Sequence, residues 1–284
     1  MTDPHAAEAP AGAAPPMRAG SAEPVPTEEA QIQVEQLFRL NGRVAVVTGA
    51  SSGLGERFAR VLHAAGARLV VTARRADRLE ALAAQLDGCI AVPGDVTDPD
   101  LRERVIAAAG ERFGRLDVLV NNAGLSDPVP AEDETVGHFT EVVDVNLTAV
   151  FALAQLAGRR MLAQGSGSIV NVASMLGLVA SAPVKQASYA ASKGAVVNLT
   201  RELAVQWARR GVRVNALAPG WFPSEMTADM FEPGPSQDFV RREAPMGRGG
   251  AVHELDGALL FLAGDASSYV TGQILTVDGG WTAR

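Results

Sequence analysis

A tyrosine and a lysine four positions apart, Tyr189 and Lys193, have side chains that could together perform acid–base chemistry. The apolar residues after Lys193 recur at the spacing of an amphipathic helix, on which positions i and i+4 share one face. A positive charge beside a phenol favours the phenolate, so we predict that Lys193 lowers the pKa of Tyr189. The same spacing also fits a half-buried tyrosine and a surface lysine with structural roles, so the rest of the chain must decide between these interpretations.

The elements that would position this pair follow from a regular alternation of apolar strands and helices that begins at Arg43. This alternation predicts a single-domain α/β fold of the Rossmann type, with a doubly wound parallel sheet of about seven strands flanked by helices. Ligands bind such sheets at the carboxyl ends of the strands. The predicted strands cover residues 44–48, 68–72, 89–92, 116–120, 168–172, 212–217 and 274–277, and helices are predicted at 54–65, 78–86, 101–113, 139–161 and 252–262 besides the one that carries Tyr189.

A glycine-rich turn, Thr48-Gly-Ala-Ser-Ser-Gly-Leu-Gly55, connects the first predicted strand to the first helix. Its glycines permit a tight turn, close approach of the backbone to a pyrophosphate, and close packing of helix on strand. The N-terminus of the following helix would face the phosphates. The turn therefore predicts that a dinucleotide binds Gly49, Ser51, Ser52, Gly53, Leu54 and Gly55.

Two arginines, Arg74 and Arg75, follow the second predicted strand, and the first acid after them is Asp77. A carboxylate at the strand end would hydrogen-bond the ribose hydroxyls of NAD(H), whereas a guanidinium can bind the 2′-phosphate of NADP(H). The sequence therefore predicts NADP(H) in preference to NAD(H). A solvent-exposed arginine pair at a helix start is the alternative, and Ser52 supplies no second basic group.

Polar and small residues also follow the third and fourth predicted strands. A carboxylate after the third strand could accept a hydrogen bond from the amino group of adenine. The small residues of the Asn-Asn-Ala-Gly segment at 121–124 let the backbone lie against a cofactor. We predict that Asn121 instead stabilises the sheet. The cofactor-binding candidates in these two turns are Asp95, Val96, Asn122, Ala123 and Gly124.

Composition argues against several classes of function. A formal net charge of −7 disfavours nonspecific binding to nucleic acid or to an anionic membrane. The single cysteine, Cys89, excludes an intramolecular disulfide, and the four histidines lack metal-ligand spacing, so no metal site is predicted. No apolar run reaches the length of a membrane span.

The first 35 residues differ from the rest because they are rich in Ala, Pro, Gly and Glu. This composition predicts a disordered tail at 1–35, followed by the dinucleotide-binding catalytic domain at 36–284. The tail lacks a basic segment followed by an apolar one, so a secretory signal is not expected. A cytoplasmic location is the resulting expectation.

Several short motifs occur together in one order along the chain. The glycine turn, the Asn-Asn-Ala-Gly segment, a serine at 174, the Tyr-x-x-x-Lys pair, Pro-Gly at 219–220 and Val-Asp-Gly-Gly at 277–280 are each modest signals. In this order and spacing they are specific, and the chain from about Leu40 to Trp281 resembles the short-chain dehydrogenase/reductase family.

The resemblance implies a catalytic group of Asn146, Ser174, Tyr189 and Lys193. Tyr189 would be the general acid in ketone reduction and the general base in alcohol oxidation. Ser174 would hydrogen-bond the substrate oxygen and stabilise its developing charge. Lys193 would lower the Tyr189 pKa and bind the nicotinamide ribose. Asn146 would hold a water that links Lys193 to solvent.

The segment at 221–237 is predicted to form a mobile lid over the nicotinamide. Where the family usually has a threonine that contacts the carboxamide, this chain has Ser224, with Thr227 as the alternative. The apolar lid residues would form an apolar pocket with Met175, Leu176 and Val184, or would instead pack in the core or between subunits. These lid residues are Trp221, Phe222, Met226, Met230 and Phe231. The cofactor-binding candidates in this region are Pro219, Gly220, Phe222 and Ser224.

An apolar pocket favours hydride transfer between NADP(H) and an apolar or medium-sized ketone of the 3-oxoacyl type. The first alternative is an NAD-dependent sugar or polyol dehydrogenase, which the resemblance leaves open. A non-catalytic cofactor-binding sensor or scaffold is an alternative of another class, and it predicts loss of Tyr189 or Lys193, both of which are present. The resemblance also implies a homotetramer, with the C-terminal strand and the long helices packing between subunits, and a small-molecule substrate as the other partner.

Overall fold

Seven strands form a single sheet in the part of the chain that the computed structural model describes, residues 34–181 and 183–284. The strands are β1 Val44–Thr48, β2 Arg68–Thr72, β3 Cys89–Ala91, β4 Val118–Asn121, β5 Gly167–Val172, β6 Val212–Pro219 and β7 Ile274–Val277. Their spatial order is β3-β2-β1-β4-β5-β6-β7, and every neighbouring pair is parallel. The predicted fold class is confirmed. The tail predicted at 1–35 lies outside the described residues except for its last two positions.

Helices cover both faces of the sheet. They are α1 Gly53–Ala64, α2 Ala76–Gln85, α3 Pro99–Phe113, α4 Val136–Val143, α5 Ala149–Gln164, α6 Ala187–Trp207, α7 Pro235–Glu243 and α8 Asp256–Ala263, and a π-helical turn, Asp144–Thr148, joins α4 to α5. Short 3-10 helices lie at Val34–Phe38, Met175–Gly177, Ala208–Arg210, Glu225–Met230, Val252–Leu255, Asp265–Ser267 and Trp281–Ala283.

The central strand β1 shows why its apolar run forms a strand buried on both faces. Successive side chains of a strand point to opposite faces. Val44 and Val46 pack with α3, α5 and α6 on one face, and Ala45 and Val47 pack with α1, α2 and α8 on the other. The strand order reverses between β1 and β4, so the carboxyl ends of these two strands flank the expected ligand crevice.

Local polar residues explain where the observed elements depart from the predicted ones. Strand β4 begins at Val118, because the Asp117 carboxylate is bound by the Val44 amide at 2.9 Å and by Arg115. Helix α4 begins at Val136, because Thr135 caps it by accepting a hydrogen bond from the backbone of His138 at 3.2 Å. The region at 221–237 where a lid was expected contains the 3-10 helix Glu225–Met230 and the start of helix α7, with Pro235 in the first turn of α7, where proline is tolerated.

One continuous helical segment, Val136–Gln164, is long and apolar enough to cross a membrane, contrary to the sequence prediction. Its residues Leu153, Ala157 and Met161 are buried in the cluster that covers one face of the sheet. A core helix of a globular domain passes the same test of length and composition, so this segment is weak evidence for a membrane span.

Candidate active site

Tyr189 and Lys193 lie on the first turns of α6, next to the carboxyl end of β5. The Lys193 side chain is buried, and its Nζ donates a hydrogen bond to the backbone carbonyl of Val172 at 2.8 Å. The same nitrogen lies 5.7 Å from the centroid of the Tyr189 ring. Burial disfavours the charged ammonium and lowers the pKa of Lys193 to about 8.

The Tyr189 phenol is enclosed by apolar residues, although the residue as a whole keeps some exposed surface. Its ring packs against a buried cluster formed by Met175, Leu176, Ala244 and Trp281. Burial raises the pKa of Tyr189 above its ordinary value, while an interaction with Ser174 acts in the opposite direction. The net direction is opposite to the lowering predicted from Lys193, because the ammonium is held at the Val172 carbonyl and burial dominates.

Ser174 follows β5 and begins the 3-10 helix Met175–Gly177. Its hydroxyl oxygen accepts a hydrogen bond from the backbone amide of Leu176 at 3.1 Å, which fixes the side chain. The residue is buried and interacts with the Tyr189 side chain. Because the backbone amide uses its oxygen as acceptor, the Ser174 hydroxyl proton is available for donation to Tyr189 or to a ligand.

Asn146 lies in the π-helical turn and is fully buried. Its amide nitrogen donates to the Leu125 carbonyl at 2.8 Å and to the Ser192 hydroxyl at 3.1 Å, and its oxygen accepts from the Leu125 amide at 2.7 Å. Asn146 thereby ties the loop after β4 to helix α6. A Cβ atom on Gly124 would lie 3.3 Å from the Asn146 oxygen and 3.6 Å from Lys193 Nζ, so both groups border this glycine.

The glycine turn after β1 needs glycine for two separate reasons. Gly49 and Gly53 have positive φ angles of 68° and 54°, which favour glycine. A Cβ atom on Gly55 would lie 2.2 Å from the Gly49 carbonyl oxygen, so only glycine fits there. Ser52, at the N-cap of α1, forms no side-chain hydrogen bond with the first turn of the helix. The N-terminal amides of this helix are therefore suited to bind phosphate oxygens.

The residues that follow strand β4 contact the glycine turn from its other side. The Thr48 hydroxyl accepts hydrogen bonds from the backbone amides of Asn122 and Ala123 at 3.0 and 2.9 Å. The Asn122 side chain donates to the Thr48 carbonyl at 2.9 Å, so it holds the turn in place. Asn121 is buried and donates to Asn171 on β5 at 3.0 Å, which supports its predicted role in the sheet.

Two candidate residues follow strand β3, the polar Asp95 and the buried Val96. The Asp95 carboxylate accepts hydrogen bonds from the backbone and the hydroxyl of Thr97 at 2.9 and 2.8 Å. Val96 is buried against the cluster that includes Leu101. Asp95 therefore closes a local turn with one oxygen and has its other oxygen available for a ligand.

The two arginines after β2 have different environments. Arg75 contacts the hydroxyls of Ser51 and Ser52, with its Nε 3.3 Å from the Ser51 oxygen. Arg74 is exposed and forms no hydrogen bond or ion pair with the described residues. Sequence reasoning missed that Arg78, one turn into α2, joins Arg75 in binding the Glu225 carboxylate.

The segment after β6 lies against the glycine turn. A Cβ atom on Gly53 would lie 3.3 Å from Ser224 Cβ, and the Ser224 and Thr227 hydroxyl oxygens lie 2.9 Å apart. Pro219 ends β6, and a Cβ atom on Gly220 would lie 2.7 Å from Asp278 Cα. The Phe222 side chain is buried in the core, which leaves its backbone for any contact with a cofactor.

Aromatic residues from distant parts of the chain enclose the phenol. Trp221 and Trp281 pack edge to face with 6.2 Å between ring centroids, and Phe239 and Trp281 do so at 5.6 Å. Of the residues predicted for this pocket, Met175, Leu176 and Trp221 belong to the cluster, whereas Phe222 is buried in the core and Met226 is exposed. The sequence prediction missed Phe239 and Trp281. Within the described ranges, no cluster of His, Cys, Asp and Glu could hold a metal ion.

Comparisons with known proteins agree with this geometry. Residues 49–282 match the model of a family described as Enoyl-(Acyl carrier protein) reductase. The chain is 44% identical over 251 residues to a galactitol 2-dehydrogenase (L-tagatose-forming) of Cereibacter sphaeroides, covering 87% of this chain and 97% of that protein. It is 40% identical to a gluconate 5-dehydrogenase of Gluconobacter oxydans, with coverages of 87% and 97%. It is 36% identical to a 3-oxoacyl-[acyl-carrier-protein] reductase of Thermotoga maritima, with coverages of 86% and 99%.

Solved structures show the same fold. A short-chain type dehydrogenase/reductase from Mycobacterium marinum aligns with a TM-score of 0.84 at 36% identity, covering 88% of this chain and 100% of that one. A gluconate 5-dehydrogenase from Burkholderia cenocepacia, in complex with NADP and tartrate, aligns with a TM-score of 0.84 at 37% identity, with coverages of 88% and 99%.

Proposed function

The chain belongs to the short-chain dehydrogenase/reductase family of enzymes that act on CH–OH groups, and we propose that it transfers hydride between NADP(H) and a compact secondary alcohol or ketone. The observation that carries this proposal is the grouping of Tyr189, Ser174 and Lys193 at the carboxyl end of β5. A phenol, a hydroxyl and a buried ammonium that lie together beside the ligand crevice of the sheet support a role in acid–base catalysis.

The side chains have different roles at the substrate oxygen. In the direction of reduction, Tyr189 gives its hydroxyl proton to the ketone oxygen, and in oxidation it takes that proton back. Ser174 donates a hydrogen bond to the same oxygen and stabilises its negative charge. Lys193 holds a proton at Nζ near the phenol. Asn146 bonds both to the loop after β4 and to helix α6, and so fixes their relative positions beside Lys193. The nicotinamide, when bound, supplies or accepts the hydride.

The residues around the glycine turn fit a phosphorylated dinucleotide. In the glycine turn, backbone lies where a Cβ atom would clash, so a ligand can approach the main chain closely. The amides at the N-terminus of α1 suit a pyrophosphate. Arg75 with Ser51 and Ser52 would bind a 2′-phosphate, which supports NADP(H) over NAD(H). The Burkholderia cenocepacia structure holds NADP, and this cofactor fits the arginine at the end of β2.

A polyol, sugar acid or other compact hydroxy compound is the substrate class that the relatives favour. Named relatives include dehydrogenases of galactitol, gluconate and D-threitol at 37–44% identity. The aromatic rings of Trp221 and Trp281 would pack against the C–H face of such a compound while its reacting oxygen meets Tyr189.

Reduction of a 3-oxoacyl thioester is the second candidate, and the apolar cluster around Tyr189 favours it. The Thermotoga maritima reductase, at 36% identity, supports this class as well. An acyl chain would lie on Met175, Leu176 and the aromatic rings, which provide a continuous apolar surface.

A substrate panel with both cofactors tests the proposal. Purified protein is assayed for NADP+ or NAD+ reduction with polyols and sugar acids, and for NADPH or NADH oxidation with 3-oxoacyl thioesters and simple ketones. We expect turnover of polyols or hydroxy acids with NADP+ at a higher kcat/KM than with NAD+. Turnover of 3-oxoacyl thioesters alone would favour the second candidate, and a higher kcat/KM with NAD+ would contradict the cofactor assignment.

A further inference from the structure

We propose that Glu225 is a specificity-determining residue whose carboxylate occupies the anion site of Arg75, Arg78 and Ser52, and that the 2′-phosphate of NADP(H) must displace it. The proposal rests on the proposed function, because it takes the cofactor to be NADP(H). It predicts that this chain binds NADP(H) more weakly than its arginines alone would allow.

Three elements supply hydrogen-bond donors to the Glu225 carboxylate. Arg75 approaches one carboxylate oxygen at 2.8 Å and the other at 3.1 Å. Arg78 donates to the second oxygen at 2.6 Å, and the Ser52 hydroxyl donates to the first at 3.1 Å. The donors come from the glycine turn, the end of β2 and helix α2, while Glu225 begins a 3-10 helix about 150 residues later in the chain.

The same donors suit a phosphate. Guanidinium groups bind carboxylates and phosphates with the same planar geometry, and a phosphate monoester brings more negative charge than a carboxylate. The hydroxyls of Ser51 and Ser52 also reach Arg75, so the anion site includes neutral donors beside the two cations. A ribose with a free 2′-hydroxyl carries no charge with which to replace the carboxylate. Displacement therefore depends on the 2′-phosphate.

The Glu225 contact is suited to exchange because it is open to solvent. The side chains of Glu225, Arg75 and Arg78 are 56%, 39% and 50% exposed, respectively. Exposed ion pairs are weak, since water competes for the same charges. Arg78 and Arg75 hold the pKa of Glu225 at about 2, so the carboxylate stays charged at neutral pH and must be displaced by a ligand rather than by a proton.

The position of Glu225 also links the anion site to the segment that carries Ser224. Ser224 lies against Gly53 of the glycine turn, and its hydroxyl is paired with Thr227. When a phosphate takes the place of the carboxylate, this segment loses the ion pairs that Glu225 forms with Arg75 and Arg78.

The test measures binding rather than turnover. Dissociation constants of NADPH, NADH, 2′-AMP and 5′-AMP are determined by titration calorimetry for the wild type, Glu225→Gln and Glu232→Gln. Glu232 is an exposed acid of the same segment that forms no ion pair with the described residues, so it controls for the change in net charge. For Glu225→Gln we expect NADPH and 2′-AMP to bind about two- to fivefold more tightly, the range of an exposed charge pair. NADH and 5′-AMP should bind as they do to the wild type.

The two proposals fail differently in this experiment. If Glu225→Gln binds 2′-AMP and NADPH no more tightly than the wild type or Glu232→Gln, the role of Glu225 is wrong while the oxidoreductase function stands. If the wild type binds neither NADPH nor NADH, the proposed function fails, and with it the displacement of Glu225. If Glu225→Gln tightens the binding of NADH as much as that of NADPH, the effect does not act through the 2′-phosphate and the proposal is overturned.

Discussion

At Lys193, burial controls protonation, and the consequence can be measured as a dependence of stability on pH. Burial lowers the pKa of the folded-state ammonium from 10.5 to about 8, so the unfolded chain binds more protons between these two pH values. Stability then rises with pH in this window. Relative to Lys193→Met, the wild type should gain about 3 kcal/mol in free energy of unfolding as the pH rises from about 8 to 10.5. Urea denaturation of both proteins across this range checks it, and a constant difference would show that Lys193 is not buried as described.

Arg75 and Arg74 form a matched pair for testing cofactor choice. Arg75 reaches the two serines of the glycine turn, whereas Arg74 is exposed. We expect Arg75→Ala to raise the KM for NADPH about 10- to 100-fold, the range for loss of a hydrogen bond to a charged group, with little change for NADH. Arg74→Ala should change neither KM. Steady-state kinetics with both cofactors provides the measurement, and a larger effect from Arg74→Ala would assign the phosphate to the other arginine.

Residues with a local signal could be predicted from the sequence, and residues brought together by the fold could not. Tyr189 and Lys193 lie one helical turn apart, and the glycine turn is continuous in sequence, so both appear as local patterns, and the order of all the motifs favoured a catalytic role for the pair. The pairing of Arg78 with Glu225 spans 147 residues and has no local signature. The direction of the Tyr189 pKa also required the structure, because it depends on how much apolar surface surrounds the phenol.

Among the elements, the π-helical turn Asp144–Thr148 is the one that positions a candidate catalytic residue by an irregularity. The sequence predicted one helix through this region, because a π-helical turn lies inside a helix without ending it and has no local sequence signal. Such turns are frequent at functional sites. Here the turn places the fully buried Asn146 between the loop after β4 and helix α6.

Replacing Asn146 tests the role of that turn. Asn146→Ala removes three hydrogen bonds and leaves the backbone groups of Leu125 without their partner. We expect a loss of about 1–3 kcal/mol in free energy of unfolding, together with a lower kcat. Asn198→Ala, at an exposed position of α6, should leave both unchanged. Chemical denaturation and initial-rate assays measure the effects, and an Asn146→Ala protein of wild-type stability and kcat would contradict this role.

At the scale of the whole molecule, exposed apolar side chains support the proposal that the chain assembles as a homotetramer. Val205 on α6 is 80% exposed, Phe151 on α5 is 43% exposed, and Tyr269 before β7 is fully exposed. These residues lie on or next to the elements expected to pack between subunits. Burial of such surface between copies would be favourable.

The Val205→Glu variant tests this assembly. A charge placed in an apolar interface would be left without a partner, so we expect the mass in solution to fall below four times 29.6 kDa. Val136→Glu, at an equally exposed valine on the first turn of α4, should leave the mass unchanged. Size-exclusion chromatography with light scattering makes the measurement, and a Val205→Glu protein with the mass of the wild type would place any interface elsewhere.

The fold of the whole chain was predictable because strands and helices alternate regularly, whereas the substrate pocket was not. Trp281 lies near the end of the sequence, yet its ring packs edge to face with Trp221 beside Tyr189. Helix α7 brings Phe239 to the same cluster from just beyond the segment at 221–237 that was predicted to form a lid. These contacts depend on the return of the chain after β7, which no local pattern encodes.

The proposed chemistry depends most on the Tyr189 hydroxyl, and the second tyrosine of the chain, Tyr269, provides an internal control. Tyr189→Phe removes the proton donor and keeps the ring, while Tyr269→Phe makes the same change at a fully exposed site. The measurement is kcat with NADPH and the best ketone of the panel, alongside the dissociation constant of NADPH. Tyr189→Phe should lower kcat about 10²- to 10⁴-fold and still bind NADPH, and Tyr269→Phe should match the wild type. A Tyr189→Phe protein with wild-type kcat would contradict the assignment of Tyr189 as the acid–base group.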